Sequence, residues 1–134
     1  MVCDFMNKII IEISVGELLD KISILEIKLE KIKDPNKLKF ISTELSILKD
    51  QLSKNVQYTD KIKNLYQSLK KINLKLWVIE DDKRECEKNK DFSETFIKLS
   101  RDVHFLNDDR AKIKLEINDI SGSNIKEVKE YTNY

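Results

Sequence analysis

Between Gly16 and Gly122 apolar residues recur every three or four positions almost without interruption. That period marks amphipathic helices, and the chain holds only two glycines and one proline to break them. Four helices are predicted. The first covers 15–33, with Val15, Leu18, Ile22, Leu25, Leu29 and Ile32 as its stripe. Ser14 caps it, and Glu17 completes a capping box. Asp34 and Pro35 end that helix and start the second, over 35–54, where Leu38, Ile41, Leu45, Leu48 and Leu52 align. Thr59 caps a third helix over 60–88, striped by Ile62, Leu65, Leu69, Ile72, Leu76, Ile79 and Cys86. Asp91 or Ser93 caps a fourth over 92–120, striped by Phe92, Phe96, Leu99, Val103, Leu106, Ile113 and Ile117, and Gly122 stops it.

Residues 1–14 read as an arm or short strand, with Ile9, Ile11 and Ile13 on one side. The tail over 121–134 reads either as a strand paired with that arm or as a frayed end. Short links make sequential helices antiparallel neighbours. The expected fold is therefore one all-α domain over 1–134, an antiparallel four-helix bundle with one long hairpin from helices 3 and 4. Those two are longer by about nine residues each, roughly 14 Å at ~1.5 Å per residue. Several helices also carry apolar residues off the main stripe: Ile24 and Ile27, then Leu74, Trp77 and Val78, then Ile97 and Leu115. One four-helix core does not bury them all, so a homodimer through the long hairpin is expected.

Charge narrows the function classes. Lys+Arg totals 25 against 24 for Asp+Glu, with the signs interleaved, which gives no footprint for nucleic acid. No run is long and apolar enough to span a membrane, and the N-terminus lacks a signal-peptide pattern. Cys3 and Cys86, with no CxxC spacing, read as free thiols of a cytoplasmic protein. No phosphate loop, nucleophile elbow or zinc-protease motif occurs, and no cofactor or metal site is expected.

Two charges fall on core faces. Arg110 interrupts the fourth stripe between Leu106 and Ile113, flanked by Asn107 and Lys114. Glu26 lies beside Ile22 and Leu29 and is the expected partner of Arg110, because an unpaired buried ion costs several kcal/mol. The third helix carries a second periodic line, Tyr66, Asn73, Trp77, Glu80 and Arg84. Glu80, Asp81 and Asp82 point in three directions, so that string alone forms no three-carboxylate metal site. Two readings follow. Glu26, Glu80, Arg84, Asn107, Arg110 and Lys114 form a buried polar network that fixes helix register. Alternatively, they line an anion or small-molecule pocket walled by Tyr66, Asn73 and Trp77. His104, with no second His or Cys nearby, reads as an ordinary histidine.

The strings GELLDKISILEIKLEKI, LWVIEDDKRECEKNKDF and LNDDRAKIKLEIN together resemble an uncharacterised family of small all-helical proteins of bacteria and bacteriophages, over about Ser14 to Tyr131. The resemblance implies a helical fold and no catalytic residue. Helical chorismate mutases also set Arg and Lys inside a helical dimer, but the three arginines here lack that pattern. The carboxylate spacing of all-α nucleotide pyrophosphohydrolases is likewise not reproduced. The resulting expectation is a structural or protein-interaction bundle, a bacterial or phage accessory protein with a protein partner; an anion-binding protein or enzyme is the alternative.

Overall fold

A computed structural model describes residues 7–134; Cys3, read above as a free thiol, and the rest of 1–6 lie outside the described residues. The structure is all-α: α1 (Val15–Lys31), α2 (Pro35–Asn55), α3 (Asp60–Lys88) and α4 (Glu94–Ser121). Ser14 Oγ accepts from Glu17 N at 3.1 Å, Asp34 Oδ1 from Asn36 N at 2.9 Å, and Thr59 Oγ1 from Ile62 N at 3.3 Å. Each cap satisfies one of the donors that a helix start leaves free. The capping box at Ser14 is half made, because the Glu17 carboxylate turns to Lys114 and Lys21 instead.

α1 stops two residues short of its expected end: Ile32 is already extended at ψ 136°, its N–H closing back on Lys28 O at 2.9 Å. α4 starts at Glu94 rather than at 92; Asp91 accepts from Ser93 N, and Phe92 lies outside the helix, edge-on to Phe96. The α3–α4 turn is a Schellman closure: Asp91 N donates to Cys86 O at 2.8 Å and Lys90 N to Glu87 O at 3.1 Å. Lys90 takes the left-handed position, φ 51°, that glycine usually fills there.

The long α3–α4 hairpin is present, 29 and 28 residues against 17 for α1. α1 packs on all three other helices, whereas α2 packs on α1 alone. Leu18, Leu19, Ile22 and Leu25 of α1 form the core with Ile41 and Leu45 of α2, Ile62 and Leu69 of α3, and Ile117 of α4. The register of contacts tilts α1 within the bundle. Along α1, Gly16, Asp20 and Glu26 meet Asn118, Arg110 and Tyr66 in turn. Asn118 and Tyr66 lie toward the same, open end of the hairpin. α1 therefore crosses obliquely over the hairpin, from α4 to α3, rather than running alongside it.

This crossing buries α1 on two sides. Ile27, expected to be left over, is 1% exposed, and Ile24 is half-buried. Val78, Ile97 and Leu115, by contrast, stay largely exposed. No strand forms among the described residues. Ile9, Ile10 and Ile11 are exposed, Ile13 packs on the core, and the described part of the arm touches the tail through side chains instead of a backbone ladder. No helix among the described residues is long and apolar enough to cross a membrane.

Candidate functional site

Where α1 crosses α3 and α4, the interface is polar. Asp20, 1% exposed, is its centre. Arg110 approaches it fork-on: Nε donates to Oδ1 at 3.0 Å, and NH2 donates to Oδ2. Asn73 of α3 donates from Nδ2 to Asp20 Oδ1 at 2.8 Å and to Ser23 Oγ at 2.7 Å. The Ser23 hydroxyl in turn donates to Asp20 O at 2.7 Å. Lys114 Nζ lies 2.7 Å from Glu17 Oε2, 3.4 Å from Asp20 Oδ2 and 3.5 Å from Glu127 Oε2. Asn118 Oδ1 accepts from Gly16 N at 2.7 Å. Among the described residues, no buried side-chain nitrogen or oxygen is left without a partner, the condition for polar groups to be tolerated in a core.

Helical spacing builds this seam. Gly16, Asp20, Ser23 and Ile27 recur at intervals of four, three and four on one face of α1, and Asn107, Arg110, Lys114 and Asn118 do so at three, four and four on α4. The small residues on α1 let the two backbones come close. A Cβ on Gly16 would lie 2.5 Å from Lys114 O.

The seam's charges hold one another ionised. Burial pushes the Asp20 carboxyl pKa up, but hydrogen bonds from Arg110 and Asn73 and the charges of Arg110 and Lys114 outweigh it, leaving it below the ordinary value. For Lys114 burial pulls the pKa down; the Glu17 hydrogen bond and the carboxylates of Asp20, Glu17 and Glu127 outweigh that and raise it. Arg110 is raised by its hydrogen bond to Asp20, against burial.

Arg110 is thus paired in the core, but with Asp20 and not with Glu26. Glu26, half-buried further along α1, accepts from the Tyr66 hydroxyl and lies 3.7 Å from Lys70 Nζ. The oblique crossing carries Glu26 away from α4 toward the start of α3. Glu80 and Arg84 are exposed and stand outside the seam. They do join Asn73, Trp77, Asn107 and Arg110 around a groove of about 440 Å³ beside it, floored by Ile24, Ile27 and Leu76. Six of the nine sequence-chosen residues line this groove; Lys114 lies in the seam, and Tyr66 and Glu26 form a separate contact. Sequence reasoning did not place Asp20, Ser23, Asn118 or Gly16 at the site, although Gly16, Asp20 and Ser23 carry a legible small-and-polar repeat.

Among the described residues no three His, Cys, Asp or Glu converge as metal ligands. Comparison with family models finds a match over residues 9–134, to DUF6165, a family of unknown function. No curated protein and no solved structure matches the chain.

Proposed function

This chain belongs to the DUF6165 family, whose function is unknown, and from its architecture we propose that it is a protein-interaction bundle that self-associates through the α3–α4 hairpin. The supporting observation is the length of hairpin beyond α1. There Ile79, Phe96, Leu99, Val103 and Leu106 are only half-buried between two helices, and Val78 and Ile97 are 47% and 53% exposed. Two helices alone leave apolar faces in water; a second hairpin laid against the first makes a four-helix core. The satisfied polar seam suits a rigid base for such an arm. In this reading the protein is a bacterial or phage accessory factor that works in the cytoplasm.

Light scattering tests it. A mass near twice the 15.8 kDa of one chain is expected, with Val78→Glu plus Ile97→Glu returning the mass to that of one chain. A single-chain mass for the unaltered protein removes the self-association.

The groove beside the seam favours a second reading, a small-molecule site. Trp77 and Leu76 offer an apolar wall, and Arg84 and Arg110 offer donors. Glu80 and Asp81 line the same groove, and Asp20 already neutralises Arg110. With positive charge matched by negative, the groove suits a neutral or zwitterionic ligand better than an anion. A thermal-shift series with amino acids against phosphate and dicarboxylates separates these; stabilisation by the anions alone would reverse that preference.

A further inference from the structure

The arm that leads into α1 meets the core through Ile13 and carries Lys8, Ile9, Ile10, Ile11 and Glu12 ahead of it. The three consecutive isoleucines are 87%, 81% and 71% exposed. An unbroken β-branched run suits a strand, yet no backbone hydrogen bond joins residues 8–12 to any described residue. Strand-forming residues, exposed apolar side chains and open backbone groups therefore coincide, the combination by which a segment pairs with another chain.

The charges at the two ends of the run specify which chain. The string KIIIE is its own complement when laid antiparallel on a second copy. With Ile10 opposite Ile10, Lys8 of each chain stands opposite Glu12 of the other, and Ile9 stands opposite Ile11. Opposite charges across a ladder stabilise it, and like charges directly opposite destabilise it. A parallel pairing sets Lys8 against Lys8 and Glu12 against Glu12. Any slip of the antiparallel pair removes both Lys8–Glu12 contacts. Strand alternation then puts Ile9 and Ile11 of both chains on one face of the ribbon, the side of Ile13, and the Ile10 pair with its flanking ion pairs on the other.

We infer that residues 8–12 are a pairing strand for the same residues of a second copy of this chain, joined antiparallel about Ile10. Glu12 is available for it: among the described residues its side chain is held by the neutral amide of Asn124, at 3.0 Å, and a lysine ammonium gives a stronger, charge-assisted bond. A two-stranded ribbon this short is marginal by itself, so the contact is weak and adds to the hairpin contact without replacing it. The two lie apart. The arm enters α1 beside Asn118 and Ser123, at the open end of the hairpin, whereas Val78 and Ile97 lie toward the α3–α4 turn. Neither contact requires the other.

Disulfide trapping tests the register. Every chain carries Cys3→Ser, with Cys86 left in place because it is buried; Cys3→Ser alone is the blank. In a glutathione redox buffer, Ile10→Cys is expected to link chain to chain at least fivefold more than Ile9→Cys or Ile11→Cys does alone. An equimolar mixture of the Ile9→Cys and Ile11→Cys chains should link mainly one to the other. Lys8→Glu or Glu12→Lys in the Ile10→Cys chain should cut linking at least fivefold, and mixing those two variants should restore it. The altered side chains are all exposed, so the bundle is kept in each variant. Equal linking from positions 9, 10 and 11 means loose arms in collision and overturns the proposal. Linking that ignores the charges, a loss that mixing does not repair, or no linking at all overturns it too; the last is the result expected of an arm that instead takes another protein's sheet edge or a membrane surface. Linked chains are read on denaturing gels and the hairpin contact by the mass of the unlinked protein, so the two fail separately.

Discussion

Asp20 and Arg110, 90 residues apart in sequence, meet as a two-bonded ion pair where α1 crosses α4. Removing one partner strands the other. Arg110→Ala leaves a carboxylate that is 1% exposed with only the neutral Asn73 donor and Lys114 at 3.4 Å beside it, and should cost about 3–5 kcal/mol. Asp20→Leu with Arg110→Met removes both charges and should cost much less. A double-mutant cycle on urea unfolding is expected to give a coupling of at least ~2 kcal/mol between positions 20 and 110, and close to zero between 26 and 110. Strong coupling of Glu26 to Arg110 would show that the crossing described above is wrong.

The same pair makes stability depend on acid. The Asp20 carboxyl is held below its ordinary value in the fold, so the unfolded chain binds its proton first. Its contribution is complete above the unfolded value of ~3.9 and is lost as pH falls through the lower folded value. Lys114, raised in the fold, acts in the opposite sense. Its contribution is complete below the unfolded value of ~10.4 and is lost as pH rises through the folded one. The urea midpoint of the unaltered chain should drop on both limbs. Asp20→Asn should flatten the acid limb specifically, whatever its midpoint near neutrality; an acid limb of unchanged steepness would assign that limb to other carboxylates.

Gly16 is set by space rather than by backbone angle. Alanine is the better helix former by about 1 kcal/mol, so an open site would gain from Gly16→Ala. Here the added Cβ would meet Lys114 O at 2.5 Å and Asn118 Oδ1 at 2.9 Å. Backbone yields poorly, so the helices must separate, at a cost of about 1–3 kcal/mol. Gly122→Ala meets no atom within 4 Å but forces a left-handed φ of 68° on alanine, at about 1–2 kcal/mol. Thermal unfolding of both variants checks the ranking, and a stabilised Gly16→Ala would refute the close approach.

Most of the fold could be read from period alone, because each helix has one wide apolar stripe and a chemically ordinary cap. The site was harder. Arg110 betrayed itself by interrupting a stripe, which told that a partner was needed but not where it lay. On a ~100° wheel Asp20 sits nearly opposite Leu18, Ile22 and Leu25, between Ile24 and Ile27, off the stripe that the sequence marks as core. It is buried because α1 lies between the hairpin and α2 there, leaving only a narrow strip around Lys21 in solvent. Crossing angle is a tertiary property that no single helix encodes. The run Gly16, Asp20 and Ser23 is its trace in the sequence: glycine where the backbone of α4 comes close, and short polar side chains where the seam is hydrogen-bonded. Of the arm or short strand read over 1–14, the described part is an arm: Ile9 and Ile11 have the residue types of a strand but stay exposed, and the tail reaches Glu12 through a side chain rather than a backbone ladder.

Cys86 reports on the far end of the hairpin. It is buried near the α3–α4 turn, and its carbonyl accepts the closing bond from Asp91 N. Burial pushes the thiol pKa up, and the carboxylates of Asp91, Asp82 and Glu85 push it the same way. Alkylation requires the thiolate, so both access and charge slow the reaction. In a Cys3→Ser chain, iodoacetamide at about pH 8 should label Cys86 at least tenfold more slowly in buffer than in concentrated urea. Phe92→Ala removes the ring that meets Phe96 edge-on without changing the thiol's charged neighbours. It should quicken labelling several-fold if loosening the turn is what admits the reagent. Equal rates folded and unfolded would mean that the hairpin end is open, and with it the two-helix arm on which self-association depends.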